Sequence, residues 1–480
     1  MGIFMGTAML ICGAACAWRT LAPNVGIEAL STQYVRSVLV SYPRGTIYDR
    51  NGIPFTNRHV DGYDFFEVSC GNDSVAAYIT GATDIEKDNT TADACRGVSG
   101  LQQRYDKILA GGSPVTVSAY VDAEGNVLEE NGYYVINDHP NEGGNITLTL
   151  DYNLQKSCEN AMRKYAQDNA HERISAIVSD VGSGELLAMV SYGGFMNNAV
   201  LSYQPGSIMK ILTAAVAYDM GIIDDNTRYT CSGTVKVGEE ERHCYDNAVH
   251  GDVTIAEAFA HSCNCCFYKL AQKLVYTNSE GETKSHVLDK AKQWGFTEFG
   301  DIPSDRFILE YDEHYSFVAS DIYNDMDVFN AALGQGRVQA SAYTINAITS
   351  AIAAGGVGMK PYIVNTVSDA AGNNMPSEEK KLFNLSLKPE TVTWLKGAMQ
   401  LTGSEGTACS NTLGEYGGLS GKTGTAENIQ DSPAHAWFTG YFPLAEPKYA
   451  ITVVIENGGY GGNAVNLADI LAHETLKIYK

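Results

Sequence analysis

The sequence predicts an α+β fold, an antiparallel sheet with helices packed against it, behind a smaller N-terminal domain. Two stretches of chain predict it. "ISAIVSDVGSGELLAMVS" reads as two apolar strands around Gly182-Ser183-Gly184, a hairpin signal. Near the C-terminus, "GLSGKTGTAEN", "AHAWFTGYFP" and "YAITVVIENG" read as three more strands at hairpin spacing. Between them apolar periodicity predicts helices near 207–220, 254–272, 341–354 and 389–401, and an amphipathic helix follows in "NLADILAHETLKIY". A strand pair, then helices, then three strands is the order that segregates helices against one sheet.

Upstream of residue 171 the texture differs. "PRGTIYDRNGIPF" places an Asp-Arg-Asn-Gly turn between β-formers. Residues 69–100 are rich in Asp, Asn, Gly and Thr, and a short helical patch in "GLQQRYDKILAGG" ends at a glycine pair. "YYVIND" and "NITLTLDYNLQ" read as strands, the second running into a helix through "LQKSCENAMRKYAQDN". The expected division is 1–18 as a leader, 19–150 as the small domain and 151–480 as the large one.

The chain has 480 residues, 44% of them apolar and 19% charged, enough for more than one core and unlike a disordered chain. Its formal charge of −23 argues against a nucleic-acid partner, which needs a basic surface. The first eighteen residues, "MGIFMGTAMLICGAACAW", carry no charge. They read as an uncleaved membrane anchor, as a signal peptide cut near Ala15-Cys16-Ala17, or as a start short of a few basic residues. A buried helix is the plain alternative, and export is the preferred reading. The eleven cysteines, an odd number, fit no simple disulfide framework. Cys231 and Cys244 flank a charged, turn-rich stretch and are candidates to close one hairpin by a disulfide. Their spacing to any histidine does not repeat as zinc-ligand pairs do, so no metal or cofactor is expected. Cys263, Cys265 and Cys266 read as small buried thiols.

Three short motifs carry the chemistry. In "YQPGSIMKIL" Pro205-Gly206 breaks the chain, so Ser207 falls in the first turn of a helix with Lys210 one turn on. A serine needs a base to become a nucleophile, and a lysine serves when burial lowers its pKa; Ile208, Met209, Ile211 and Leu212 are suited to bury it. The same spacing at Ser377 and Lys380, in a polar loop, reads as plain surface. In "HSCNCC" Ser262 and Asn264, two apart after a helix capped by Thr254 and Glu257, can relay a proton and hold an amide; their ordinary alternative is backbone capping. In "GKTGTAE" Lys422 offers a charge and Thr423 and Thr425 offer hydroxyls to a carboxylate. Gly424 there is expected to leave room for a substrate backbone along a strand edge. The ordinary alternative is an edge strand guarded by a lysine.

In this order, Ser-x-x-Lys, Ser-x-Asn and Lys-Thr-Gly resemble the signature of the penicillin-recognising serine acyltransferases. "RGTIYDRNG", "GVSGLQQRYDKILAGG", "NITLTLDYNLQ", "GQG" at 334–336 and "AWFTGYFP" narrow the resemblance to class B penicillin-binding proteins, in their compact form without C-terminal appended modules. It implies a transpeptidase domain of the penicillin-binding and serine β-lactamase-like fold behind a pedestal domain. It also implies an exported catalytic domain on a single N-terminal anchor, stem peptides of peptidoglycan as substrate, β-lactams as acylating ligands, and a membrane glycosyltransferase of the SEDS family as partner. The implied roles are Ser207 as nucleophile, Lys210 as its base, and Ser262 with Lys422 as proton relay. Asn264 would hold the substrate amide, the backbone N–H groups of Ser207 and Thr425 would form the oxyanion hole, and Thr423 and Thr425 would hold the terminal carboxylate.

The sequence departs from the family at Ile208-Met209 in place of Thr-Phe, at "RVQASAYT", which lacks Thr-Pro, and at Gln102, where a glutamate is usual. The last puts partner contacts in doubt. A β-lactamase is disfavoured by the lack of a Glu-x-x-Leu-Asn loop between 265 and 421, and a β-lactam sensor by the lack of several spans. A catalytically idle scaffold is the non-enzyme alternative, against which the intact motifs count.

Overall fold

The computed structural model describes residues 35–41, 44–59, 66–67, 75–86, 94–111, 115–120, 133–136, 143–298, 316–318, 325–376, 380–416, 418–427 and 432–479. The leader and Ser377 lie outside them. The centre is a five-stranded antiparallel sheet of β1 (Ile174–Asp180), β2 (Leu186–Tyr192), β3 (Ser420–Ala426), β4 (His435–Phe442) and β5 (Tyr449–Ile455). Its order is β2-β1-β5-β4-β3, so the Lys-Thr-Gly strand is at one edge, as expected. The helices that position the site are α1 (Tyr152–Asp168), α2 (Lys210–Asp219), α3 (Ile255–Ala260), α4 (Asn264–Gln272), α5 (Ala342–Ala353), α6 (Pro389–Ser404) and α7 (Gly462–Ile478).

Both faces of the sheet are covered, which is why β4 and β5 are buried throughout rather than alternating with solvent. The alternation survives as a choice of core. Phe438 and Phe442 of β4 join Leu154 and Met162 of α1 and Leu467 and Leu471 of α7. Trp437 and Tyr441 face the other way, toward Ile348 and Ile352 of α5. Truncating Phe438 to alanine would cost about 3–5 kcal/mol, from the lost burial and the cavity left behind. On the α5 side a buried polar ladder runs through the sheet: Ser179 donates to Asn346 at 2.7 Å, and the Thr439 hydroxyl lies 2.7 Å from that of Thr349 and 2.8 Å from that of Thr452.

The N-terminal segment is tied to α1 through the "YDRNG" turn. Asp49, fully buried, accepts from the backbone of Asn51 and Ile53 at 2.8 and 2.6 Å, which closes the turn. Its other oxygen accepts from Tyr152 N at 3.0 Å, beside the N-cap Asp151 that accepts from Asn153 and Leu154. One sheet also joins Ile47–Tyr48 and Ile146–Leu148 with Val364–Ser368 and Asn374–Met375. The boundary expected at residue 150 therefore falls within shared structure. A separate antiparallel sheet pairs Val35–Ser41 with Val115–Tyr120 and the latter with Tyr133–Ile136.

The patch around Gln102 forms two short helices, Gly100–Arg104 and Asp106–Leu109, broken at Tyr105. Gln102 Oε1 accepts from Arg44 Nε at 3.0 Å, and Asp106 pairs with Arg44 at 2.8 Å. The neutral glutamine keeps a hydrogen bond to the arginine while Asp106 supplies the countercharge.

Candidate active site

The turn that carries Ser207 differs from the sequence expectation. Ser207 lies in a tight 3₁₀ turn, Gly206–Met209, and the α-helix begins at Lys210. Gly206 has φ +53°, and a side chain there would meet the Thr425 carbonyl oxygen at 2.7 Å. The turn thus presses on β3 through a position only glycine fills without strain. Gly424 serves the same contact from the strand side. A Cβ on it would fall 2.7 Å from the Pro205 carbonyl oxygen and 3.0 Å from Ile208 Cγ1. Its missing side chain makes room for the turn that carries Ser207, a role the sequence reading did not include.

The expected helix over 254–272 is two helices. The capping box of Thr254 and Glu257 starts α3 as read from the sequence. At its end Cys263 N donates to Ala258 O at 2.8 Å and Ser262 N to Phe259 O at 3.1 Å, a Schellman closure with Ser262 at φ +55°. That position usually holds glycine, so a serine there is strained. The closure turns Ser262 and Asn264 toward Lys210. Lys210 Nζ donates to Ser262 O at 2.7 Å, to Ser262 Oγ at 3.2 Å and to Asn264 Oδ1 at 2.7 Å.

Lys210 is fully buried, with its ammonium 5.3 Å above the Phe267 ring. Burial lowers its pKa to about 8, against an opposing pull from the sulfurs of Cys263, Cys244, Cys266 and Cys265. Lys422 is buried on β3, donates to Thr423 O at 3.0 Å and lies 5.6 Å above the Phe259 ring. Burial, then the charge of Lys210, hold its pKa well below the usual lysine value. Two buried lysines, each shifted toward the neutral amine, thus act on one another, with Lys210 in contact with Ser262.

A cleft of ≈ 850 Å³ opens over these groups, lined by Ser207, Ser262, Asn264, Thr423 and Thr425 among others. Thr423 Oγ1 lies 2.5 Å from Thr407 Oγ1, and Thr425 Oγ1 accepts from Gly461 N at 3.1 Å. All three motifs therefore meet at one site, though Lys210, Lys422 and Gly424 lie behind the cleft wall rather than line it. Sequence reading missed Thr407, Arg242, Tyr245 and Tyr460, which line the same cleft from loops and a hairpin. Thr407 carried no local signal, because its value lies in a contact with a residue of another element.

The cysteines also depart from expectation. Cys231 and Cys244 are not joined: their sulfurs are 3.6 Å apart and both are free thiols. With His250 and Cys263 they form a compact set of four metal-competent side chains, all within 4.8 Å of one another. The expectation of no metal rested on spacing, and the fold supplies a cluster that spacing does not show.

Among the described residues no helix is long and apolar enough to cross a membrane. Residues 174–473 match the family described as the penicillin binding protein transpeptidase domain. The peptidoglycan D,D-transpeptidase MrdA of Acinetobacter baumannii is 24% identical over 496 aligned residues, covering 93% of this chain and 66% of that protein. Stage V sporulation protein D of Bacillus subtilis is 25% identical, over 75% of this chain and 57% of its own length. The chain thus spans about two thirds or less of these curated relatives. Among solved structures, penicillin-binding protein A of M. tuberculosis, as a penicillin G acyl-enzyme complex, is similar with TM-score 0.70 at 22% identity. That match covers 91% of this chain and 100% of the other. A chain of a peptidoglycan synthase complex is similar with TM-score 0.68 at 20% identity, over 100% and 97% of the two chains.

Proposed function

The chain belongs to the penicillin-binding protein transpeptidase family, and from that premise we propose that it is a peptidoglycan D,D-transpeptidase working through a serine acyl-enzyme. The observation that carries this reading is Lys210, buried, with a pKa near 8 and bonded to both Ser262 and Asn264 beside the cleft that Ser207 lines. A neutral Lys210 takes the proton of Ser207 as its Oγ attacks the carbonyl of the penultimate D-alanine. The backbone N–H groups of Ser207 and Thr425 hold the oxyanion, in a turn and a strand pressed together at Gly206. Ser262 and Lys422 pass a proton to the departing D-alanine amine, and its carboxylate rests on Thr423 and Thr425. Asn264 orients the donor amide. The amine of a second stem peptide then attacks the acyl-enzyme, restoring Ser207 and completing the cross-link.

A β-lactam follows the first half of this path and stays attached, because its leaving group remains tethered to the acyl chain. The uncharged segment 1–18 serves as a membrane anchor that leaves the catalytic domain outside the cell. A membrane glycosyltransferase of the SEDS type supplies the nascent strand, a partnership that the likeness to a chain from a peptidoglycan synthase complex supports. Intact-protein mass spectrometry of the full chain after benzylpenicillin tests the reading. One stable adduct on wild type and none on Ser207→Ala is expected. An adduct that persists on Ser207→Ala, or its absence from folded wild type, would overturn the assignment.

A further inference from the structure

Beyond acyl transfer, the geometry points to a structural zinc site of three cysteines and one histidine, Cys231, Cys244, His250 and Cys263, built against the Ser-x-Asn motif. Ideal tetrahedral zinc, with Zn–S of about 2.3 Å and Zn–N of about 2.0–2.1 Å, sets S···S edges near 3.8 Å and S···N edges near 3.6 Å. Four of the six edges are 3.6 Å for Cys231–Cys244, 3.6 Å for Cys244–Cys263, and 3.5 and 3.8 Å from His250 Nδ1 to Cys231 and Cys244, and the other two are within 4.8 Å. A disulfide would bring two of these sulfurs to about 2.05 Å and leave the other two ligands idle. The three sulfurs are buried and His250 is half-buried, as a closed structural site requires.

The surroundings suit thiolates. Backbone N–H groups of Gly233 and His250 reach the Cys231 sulfur, that of Cys265 reaches Cys244, and that of Cys266 reaches Cys263. Such N–H···S bonds orient ligands and spread their charge. The Cys265 and Cys266 sulfurs stand 3.4 and 3.3 Å from those of Cys244 and Cys263, a second layer of polarisable groups. A thiolate-rich, tetrahedral set selects zinc over oxygen-seeking cations. Binding Zn²⁺ would release the three thiol protons and leave the centre with one net negative charge.

The placement gives the metal a task. Cys263 lies between Ser262 and Asn264, and Asn264 Nδ2 donates to His243 O, beside Cys244, at 3.3 Å. Zinc would tie the hairpin of Thr234–Val237 and Glu240–His243 to the strained closure at Ser262 and so hold both motif side chains on Lys210. These ligands are positioning residues, and their metal content can be read whether or not the acylation mechanism holds.

The test is native mass spectrometry and elemental analysis of the full chain, purified without chelator or reductant. About one zinc per chain is expected, with the ligand thiols shielded from iodoacetamide until a chelator is added. Cobalt added to the stripped protein should give a thiolate-to-cobalt charge-transfer band. His250→Ala should weaken zinc binding by more than about 100-fold, the upper range for losing a mere outer-shell partner. Cys409→Ser, at an exposed thiol, should keep full stoichiometry. Stripping should lower Tm and slow benzylpenicillin acylation, and zinc but not magnesium should restore both. A metal-free native chain two hydrogens lighter, with Cys231 joined to Cys244, would overturn the proposal. So would freely alkylated thiols with no cobalt band.

Discussion

Replacing Ser262 with glycine is expected to move stability and activity in opposite directions. Ser262 occupies the left-handed position of the closure that ends α3, at φ +55°. A non-glycine residue there costs about 1–2 kcal/mol, which glycine removes. Against this, glycine widens the unfolded ensemble by about 0.4–1 kcal/mol. The lost hydroxyl contact is the longest of three at Lys210, 3.2 Å against two at 2.7 Å, so its removal weighs little. The balance is a variant about 0.5 kcal/mol more stable than wild type. Urea denaturation at pH 7 reads that gain through the midpoint at unchanged slope. In the same preparation, fluorescent-penicillin acylation should fall by about 100-fold or more, the usual contribution of a positioned proton relay. Destabilisation beyond about 1 kcal/mol would show that backbone strain at Ser262 is outweighed by what its side chain contributes. Unchanged acylation would remove Ser262 from the relay.

Four further outcomes follow from the site. Because burial holds Lys210 near pKa 8 and only its neutral form accepts the serine proton, acylation should rise about tenfold per pH unit below 8 and level off above it, measured by stopped flow. Between about pH 8 and 10.5 the unfolded chain holds more protons at this lysine than the native one. Native stability should therefore climb from about pH 8 toward the ordinary lysine value near 10.5, an effect absent in Lys210→Met. Gly424→Ala should cost about 1–3 kcal/mol in thermal unfolding and slow acylation, since its Cβ would strike the Pro205 carbonyl at 2.7 Å and Trp437 Cβ at 2.9 Å. Thr407→Val removes the partner of the Thr423 hydroxyl and should lower the second-order acylation rate roughly fivefold, near the 1 kcal/mol of one hydrogen bond, with Tm little changed.

Much of the sheet was legible because each strand carries its own signal. The turn at Gly182-Ser183-Gly184 and the β-branched runs of β1 and β5 state their structure within a few residues. The capping box of α3 is equally local. The three motifs were legible for the same reason, as residue types at fixed short spacings. What escaped was set by contacts between distant segments. Nothing near Ser262 announces a left-handed serine, because the residue tolerates that strain while its hydroxyl contacts Lys210. Gly424 reads as an open strand edge until Pro205 and Ile208 are seen to fill the space. The four ligands at Cys231, Cys244, His250 and Cys263 come from a strand, a hairpin end, a loop and the Ser-x-Asn closure, so no pairwise repeat marks them.

The strand order of the sheet bears on how the chain reaches its native state. Strand β1 pairs along its whole length with the central strand β5, Ile174 opposite Ile455 and Asp180 opposite Tyr449. Nearly the entire large domain is threaded between those partners. Until β5 has emerged, β1 and β2 form at most an isolated hairpin, which is marginal in water. Closing so long a loop also slows folding. Assembly of this sheet therefore waits for the C-terminal strands. The cleft lined by Ser207, Thr423 and Thr425 closes with it, once the last strands have arrived.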